Sequence, residues 1–182
     1  MIPAGYLAKR IVTRPDWLKA VHVEEILSLS GCVSENFTNY LPFWKHNGFW
    51  LFDSPEAIQV LAAEQAIDLS GCRFFYYEAY ELEFDGEEKQ WHGFGPEKSL
   101  PTAVQPWEKK ELAGFDVVTF SSGTAPECSP LSCNSLAETL PVNRHCLFDT
   151  FEMAKQQIDA GGFEHSEPGP YRIFSVYACG EE

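Results

Sequence analysis

Apolar and polar positions along the chain fall into blocks that switch between the period of a strand and that of a helix. Leu51-Phe52-Asp53-Ser54-Pro55-Glu56 and Leu147-Phe148-Asp149-Thr150-Phe151-Glu152 lie 96 positions apart, counted from Asp53 to Asp149. In each, an apolar Leu-Phe pair runs into Asp-Ser or Asp-Thr, and Glu follows. That is a strand entering a helix: the hydroxyl or carboxylate caps the first free amides, and the Glu sits where the helix dipole favours it. Pro55 suits the first helical position. Ile58, Leu61 and Ala62, and then Phe151, Ala154 and Ile158, recur at helical spacing. Ser70-Gly71 and Gly161-Gly162 stop the two runs. The pattern predicts helices over about 54–66 and 150–160.

Each helix leads into an aromatic strand, Arg73 to Tyr80 and Tyr171 to Tyr177, with Leu82 to Phe84 extending the first. Phe74 matches Phe174 and Tyr77 matches Tyr177 at an offset of 100. Upstream, Glu25 to Gly31 resembles Val117 to Gly123 at an offset of 92, and both continue as Ser-Gly-x-x-x-Glu to Glu35 and Glu127. The rising offsets imply small insertions in the second copy's loops, where insertions cost little.

The expected fold class is therefore α+β: an internal duplication of a β-β-α-β unit, with mixed sheet or sheets, two main helices and a pseudo-two-fold axis. Residues 1–84 form the first unit with a leading strand at Tyr6 to Val12. Residues 85–114, rich in Gly, Pro, Glu and Lys, form a linker, and residues 115–182 form the second unit of one compact body. The expected core is Ile26, Leu51, Ile58, Leu61, Phe74, Val118, Leu147, Phe148, Ile158, Ile173 and Val176.

Charge narrows the function. Lys plus Arg is 13 and Asp plus Glu is 27 in 182 residues, a net charge of −14. Such a surface repels phosphate backbones and disfavours nucleic-acid binding. It would steer a basic partner or cationic ligand. No apolar run approaches the roughly 18 residues of a membrane span. The N-terminus lacks a basic stretch followed by an apolar one, so the chain reads as cytoplasmic with its six cysteines as reduced thiols.

Candidate chemistry is sparse. Cys128 and Cys133, five apart, suggest a metal or redox pair with His145 or Cys146 nearby, but neither zinc spacing nor C-x-x-C is present. No metal or cofactor is therefore assigned. A nucleophilic Cys or Ser aided by His145 is the enzymatic alternative. Glu35 and Glu127, at matched positions, would form an acid/base pair if both faced the groove between units. His46-Asn47-Gly48 and Trp91-His92-Gly93 are turn-like segments suited to ligand contact. There is no phosphate loop, no H-E-x-x-H and no G-x-S-x-G. With catalytic signatures missing and Tyr and Trp plentiful, the leading expectation is a binding module, an inhibitor or immunity-like partner of a basic protein. The alternative is a small enzyme with a Cys/His/Glu site between the units.

Overall fold

The computed structural model of the chain describes residues 1–29, 47–95, 103–120 and 128–180. In chain order these hold β1 (Ile2–Arg10), β2 (Val12–Thr13), β3 (Glu25–Ile26), α1 (Pro55–Glu64), β4 (Cys72–Asp85), β5 (Gln90–Gly93), β6 (Lys110–Thr119), α2 (Pro130–Cys133), α3 (Phe151–Asp159) and β7 (Tyr171–Cys179). The fold is α+β. One five-stranded sheet runs β1-β4-β7-β6, with β5 added to β4 as a hairpin; β2 and β3 pair separately. Among the described residues no helix is long and apolar enough to cross a membrane.

Both main helices start as their sequences dictate. The Ser54 side chain accepts from the Ala57 amide and Pro55 opens α1; the Thr150 side chain accepts from the Met153 amide at α3. Ile58 and Leu61 of α1, and Ala154 and Ile158 of α3, are buried. Of the expected core only Phe74 is half-buried; the rest is buried.

Strand alternation sorts the sheet's side chains onto two faces. Tyr6, Tyr76 and Tyr177 are cross-strand neighbours on one face; Leu7, Phe75 and Ala178 lie on the other. The helices start on the tyrosine face. Phe151 of α3 stacks edge-on against Tyr80 and Phe115, and the start of α1 shares a cavity with Tyr6. Residues 27–29 lie over the opposite face, held by the side chains of Lys9 and Asp116.

Two crossings fix the chain's path. Gly5, at φ +139, faces the Leu51 side chain and the Phe52 carbonyl, while Gly114, at φ +148, faces the Phe148 carbonyl and the Leu147 side chain. Asn47 Nδ2 donates to the Ala4 carbonyl at 2.7 Å, and Asn143 Nδ2 donates to that of Ala113 at 2.9 Å. Phe52 bridges to Tyr6 and Phe148 to Phe115. Each crossing strand carries a register shift, between Pro3 and Gly5 and between Leu112 and Gly114.

Three expectations are corrected. First, of the described residues in the strand expected from Glu25 to Gly31, only Glu25 and Ile26 pair, because the amides of Glu24, Glu25 and Leu27 bond to the Arg144 and His145 carbonyls instead of a long ladder. The full-length strand is β1, and β6 begins at Lys110, ahead of the expected Val117. Second, Leu51-Phe52 and Leu147-Phe148 make single bridges, since Trp50 and Cys146 turn the backbone at φ 58 and 62. Third, the described ladders are all antiparallel, where mixed sheets were expected.

Candidate functional site

The tyrosine face builds the site. Tyr6 on β1, Tyr76 on β4 and Tyr177 on β7 form a row, with ring centroids 5.1 Å and 5.7 Å apart. Trp107, in the segment leading into β6, stands edge-on to Tyr6 at 6.4 Å, and the Tyr6 hydroxyl donates to the Gln105 carbonyl, pinning that segment over the sheet. Opposite lies the entry to α1. Together they enclose a cavity of about 610 Å³ whose lining includes Tyr6, Asp53, Glu56, Trp107, Glu108 and Lys109. That is the size of a small-molecule site.

Its charge is negative, with three carboxylates against one ammonium. The Ser54 hydroxyl beside Glu56, and then its backbone amide, hold that carboxyl below its usual value, so it stays ionised at neutral pH. Asp53 Oδ1 is buried and has no hydrogen-bond partner among the described residues. The positive end of α1 already has its hydroxyl cap and its acidic first turn, so a cavity lined by three carboxylates and two aromatic rings favours a cation.

Toward the β6 edge of the tyrosine row a cation is already in place. Lys110 Nζ lies 4.5 Å from the centroid of the Tyr76 ring and 4.3 Å from that of Tyr177. It also donates to Glu78 Oε1 at 2.7 Å. The Tyr177 hydroxyl donates to Glu78 Oε2 at 2.9 Å and the Tyr76 hydroxyl to Oε1 at 3.2 Å. Burial alone would raise the Glu78 carboxyl, but the hydrogen bonds from Lys110 and Tyr177, the Lys110 charge and Tyr76 outweigh it and hold it low.

No family model, no curated protein and no solved structure matches this chain. The functional reading therefore rests on the residues themselves.

Glu35, Glu127 and His46 lie outside the described residues. Cys128 and Cys133 are joined in a disulfide, which corrects the expectation of reduced thiols at these positions. The turn of α2 brings their Cα atoms to 6.5 Å, within a disulfide's span. The ring of His145 pairs with Glu25, Nδ1 lying 2.8 Å from Oε1. Asn47 holds the first crossing. Trp91 Nε1 donates to Asp159 Oδ1 at 2.7 Å, its ring packs on Phe84 and Tyr80, and it fastens the β5 hairpin to α3. His92 Nε2 lies 3.1 Å from Glu88 Oε2, and their ligand atoms and that of Asp85 fall within 4.8 Å of one another on that exposed hairpin. Among the described ones, none lines the Tyr6 cavity. A second cavity, of about 920 Å³, lies between the β4–β5 hairpin and the loop after α3, where the Lys89–Glu164 ion pair, at 2.6 Å, already matches charges across it.

Sequence reading missed a polar cluster under the opposite face. Lys9 is fully buried and donates to the carbonyls of Leu27 at 2.9 Å and Ser28 at 2.6 Å. Asp116, also fully buried, accepts from the Leu29 amide at 2.5 Å and the Ser129 hydroxyl at 2.6 Å. Burial raises the Asp116 carboxyl and lowers the Lys9 ammonium, while each one's charge opposes the shift of the other. Burial, with the Asp116 charge, also pushes the Cys146 thiol up to about 12, which leaves it unreactive near neutral pH. A charge inside each of the runs Tyr6-Leu7-Ala8-Lys9 and Phe115-Asp116-Val117-Val118 was the available signal.

Proposed function

We propose that this chain is a binding module whose Tyr6–Trp107 cavity receives a cationic group. The observation that carries the reading is a cavity lined by the Tyr6 and Trp107 rings together with the carboxylates of Asp53, Glu56 and Glu108. A cation there gains ring-face attraction and a carboxylate partner in a partly desolvated setting, where both interactions strengthen. The net charge of −14 would speed the encounter and make it sensitive to salt. The cation can sit on a basic protein, in keeping with an inhibitor or immunity-like role, or on a small organic ammonium. Both present the same chemistry to the cavity.

We also propose that the sheet arose by duplication of one strand–helix–strand unit, β1-α1-β4 and β6-α3-β7, about a pseudo-two-fold axis between β4 and β7. The support lies in matched details: Gly5 and Gly114, Asn47 and Asn143, Trp50 and Cys146 at positive φ, and Ser54 and Thr150 as caps. Gly5 sits opposite Tyr77 and Gly114 opposite Val176, so the strands match at an offset of 99, and Phe75, not Phe74, corresponds to Phe174.

The test titrates a lysine-rich peptide and tetramethylammonium chloride separately, reading tryptophan fluorescence at low and high salt. At least one should bind, weaken with salt, and lose about tenfold or more in affinity (~1.4 kcal/mol) in Asp53→Asn and Trp107→Ala. Peptide binding alone assigns a protein partner, and binding of both assigns a site open to small cations. Binding unaffected by either substitution, or no binding of either probe, would overturn the reading.

A further inference from the structure

We propose that the Tyr76–Tyr177–Glu78 cage is a recognition site for an organic ammonium, and that Lys110 is its tethered internal occupant, displaced when ligand binds. The proposal shares the ligand's chemical class with the cavity reading, and the cavity is its route of entry. The cage and the cavity form one continuous aromatic row, since Tyr6 lines the cavity and stacks 5.1 Å from Tyr76.

The geometry is that of a complete cation site. Two ring faces lie within 4.5 Å of one nitrogen, inside the roughly 6 Å reach of a cation–π contact. A carboxylate oxygen meets the same nitrogen at 2.7 Å. Both tyrosine hydroxyls donate to that carboxylate, so Glu78 is oriented by the rings that flank it and keeps its place if the ammonium departs. The site does not depend on Lys110 for its shape.

Lys110 is suited to leaving. It is the first residue of β6, and β6 is an edge strand. Its side chain retains about a quarter of its exposure, so the cage is not sealed. The stem is flexible and the ammonium strongly hydrated, so release into water costs little beyond the cage contacts themselves. Lys109 and Trp107, immediately before it, line the cavity, so a ligand entering there arrives next to the residue it must displace.

A tethered competitor acts as a ligand at an effective concentration in the millimolar range or above. An outside cation then binds with its intrinsic affinity reduced by the fraction of cages left open. Removing the competitor without changing the cage should therefore tighten binding. A merely structural ion pair predicts the reverse, because its loss would loosen Glu78 and the rings.

The experiment compares the full chain with Lys110→Met and Lys110→Gln, titrating tetramethylammonium chloride against sodium chloride at matched ionic strength and reading tyrosine fluorescence. The expected result is affinity about tenfold tighter or more in either Lys110 variant, and loss of that gain when Glu78→Gln is added. In the unaltered chain, the Lys110 ammonium resonance should move toward its solvent-exposed position as tetramethylammonium is added, which tests displacement even if both variants fail to fold. Equal affinity with and without Lys110, a gain that survives Glu78→Gln, or a Lys110 resonance that does not move would overturn the proposal. Trp107→Ala separates the two readings. If it abolishes binding while the Lys110 variants change nothing, the cavity stands and the cage falls; if the Lys110 variants gain affinity while Trp107→Ala has no effect, the cage stands alone.

Discussion

Replacing Gly5 or Gly114 with alanine should cost this protein a large part of its stability. At Gly5 a new Cβ would lie 2.6 Å from both the Leu51 Cβ and the Phe52 carbonyl oxygen. At Gly114 it would lie 2.7 Å from the Phe148 carbonyl oxygen and 2.8 Å from the Leu147 Cβ. These are backbone and Cβ atoms, which cannot swing aside as the end of a long side chain can. Backbone conformations at φ +139 and +148 add strain of about 1–3 kcal/mol for a residue with a Cβ. Overpacking at a rigid neighbour adds about 1–3 kcal/mol more. The combined loss is ~2–6 kcal/mol at either position, against a typical total of about 5–15 kcal/mol. For a chain of this size, at about 2–4 °C per kcal/mol, that lowers the melting temperature by about 4–24 °C. Gly71 supplies the control: it has φ +73 but nothing within 4 Å of a built Cβ, so Gly71→Ala should cost only the strain. Thermal melts and urea titrations of the three variants decide it. If Gly5→Ala or Gly114→Ala melts within about 3 °C of the parent, the crossings are not as tight as described, and this reasoning is wrong.

Two further outcomes are expected. Lys9→Met strands the buried carbonyls of Leu27 and Ser28 and leaves Asp116 without a cation near it; the urea midpoint should report a loss of about 3–5 kcal/mol, and a loss below about 1 kcal/mol would refute a clamp at that position. Glu78 is held below its usual carboxyl value, so the stability it contributes is fully present above the unfolded-state pKa of about 4.5 and is lost as pH falls through its folded value. The stability gap between the parent and Glu78→Gln should accordingly be wide at neutral pH and shrink in acid; a gap that does not change with pH would sink the assignment.

Much of this was legible in the sequence where a local rule governs the outcome. Ser54 and Thr150 announced the helix starts because capping depends only on neighbours, and the apolar periods placed Ile58 and Ile158 correctly. The aromatic strands were equally clear. The strands β1 and β6 were not. Ala4-Gly5-Tyr6 and Ala113-Gly114-Phe115 are a short match centred on glycine, a residue that ordinarily weakens a strand. Unequal loops hid it further: 46 positions separate Gly5 from Leu51, while 33 separate Gly114 from Leu147. The tyrosine row was invisible for a different reason. Tyr6, Tyr76 and Tyr177 come from three strands, and only the ladders β1–β4 and β4–β7 make them neighbours. Lys110, Glu78 and Trp107 looked like ordinary polar or linker residues until the register brought them together.

The ladder between β4 and β7 carries a risk as well as a fold. Within the sheet it is the ladder through which one strand–helix–strand half meets the other. β4 is 14 residues long and includes the run Phe74-Phe75-Tyr76-Tyr77. If a protease nicked the chain between the halves and they came apart, that run would become a bare, flat sheet edge with unpaired amides and carbonyls. Such edges recruit other copies and template aggregation. In the intact chain β7 covers this edge from within the same molecule, so one covalent connection is what keeps a hazardous strand occupied by its proper neighbour.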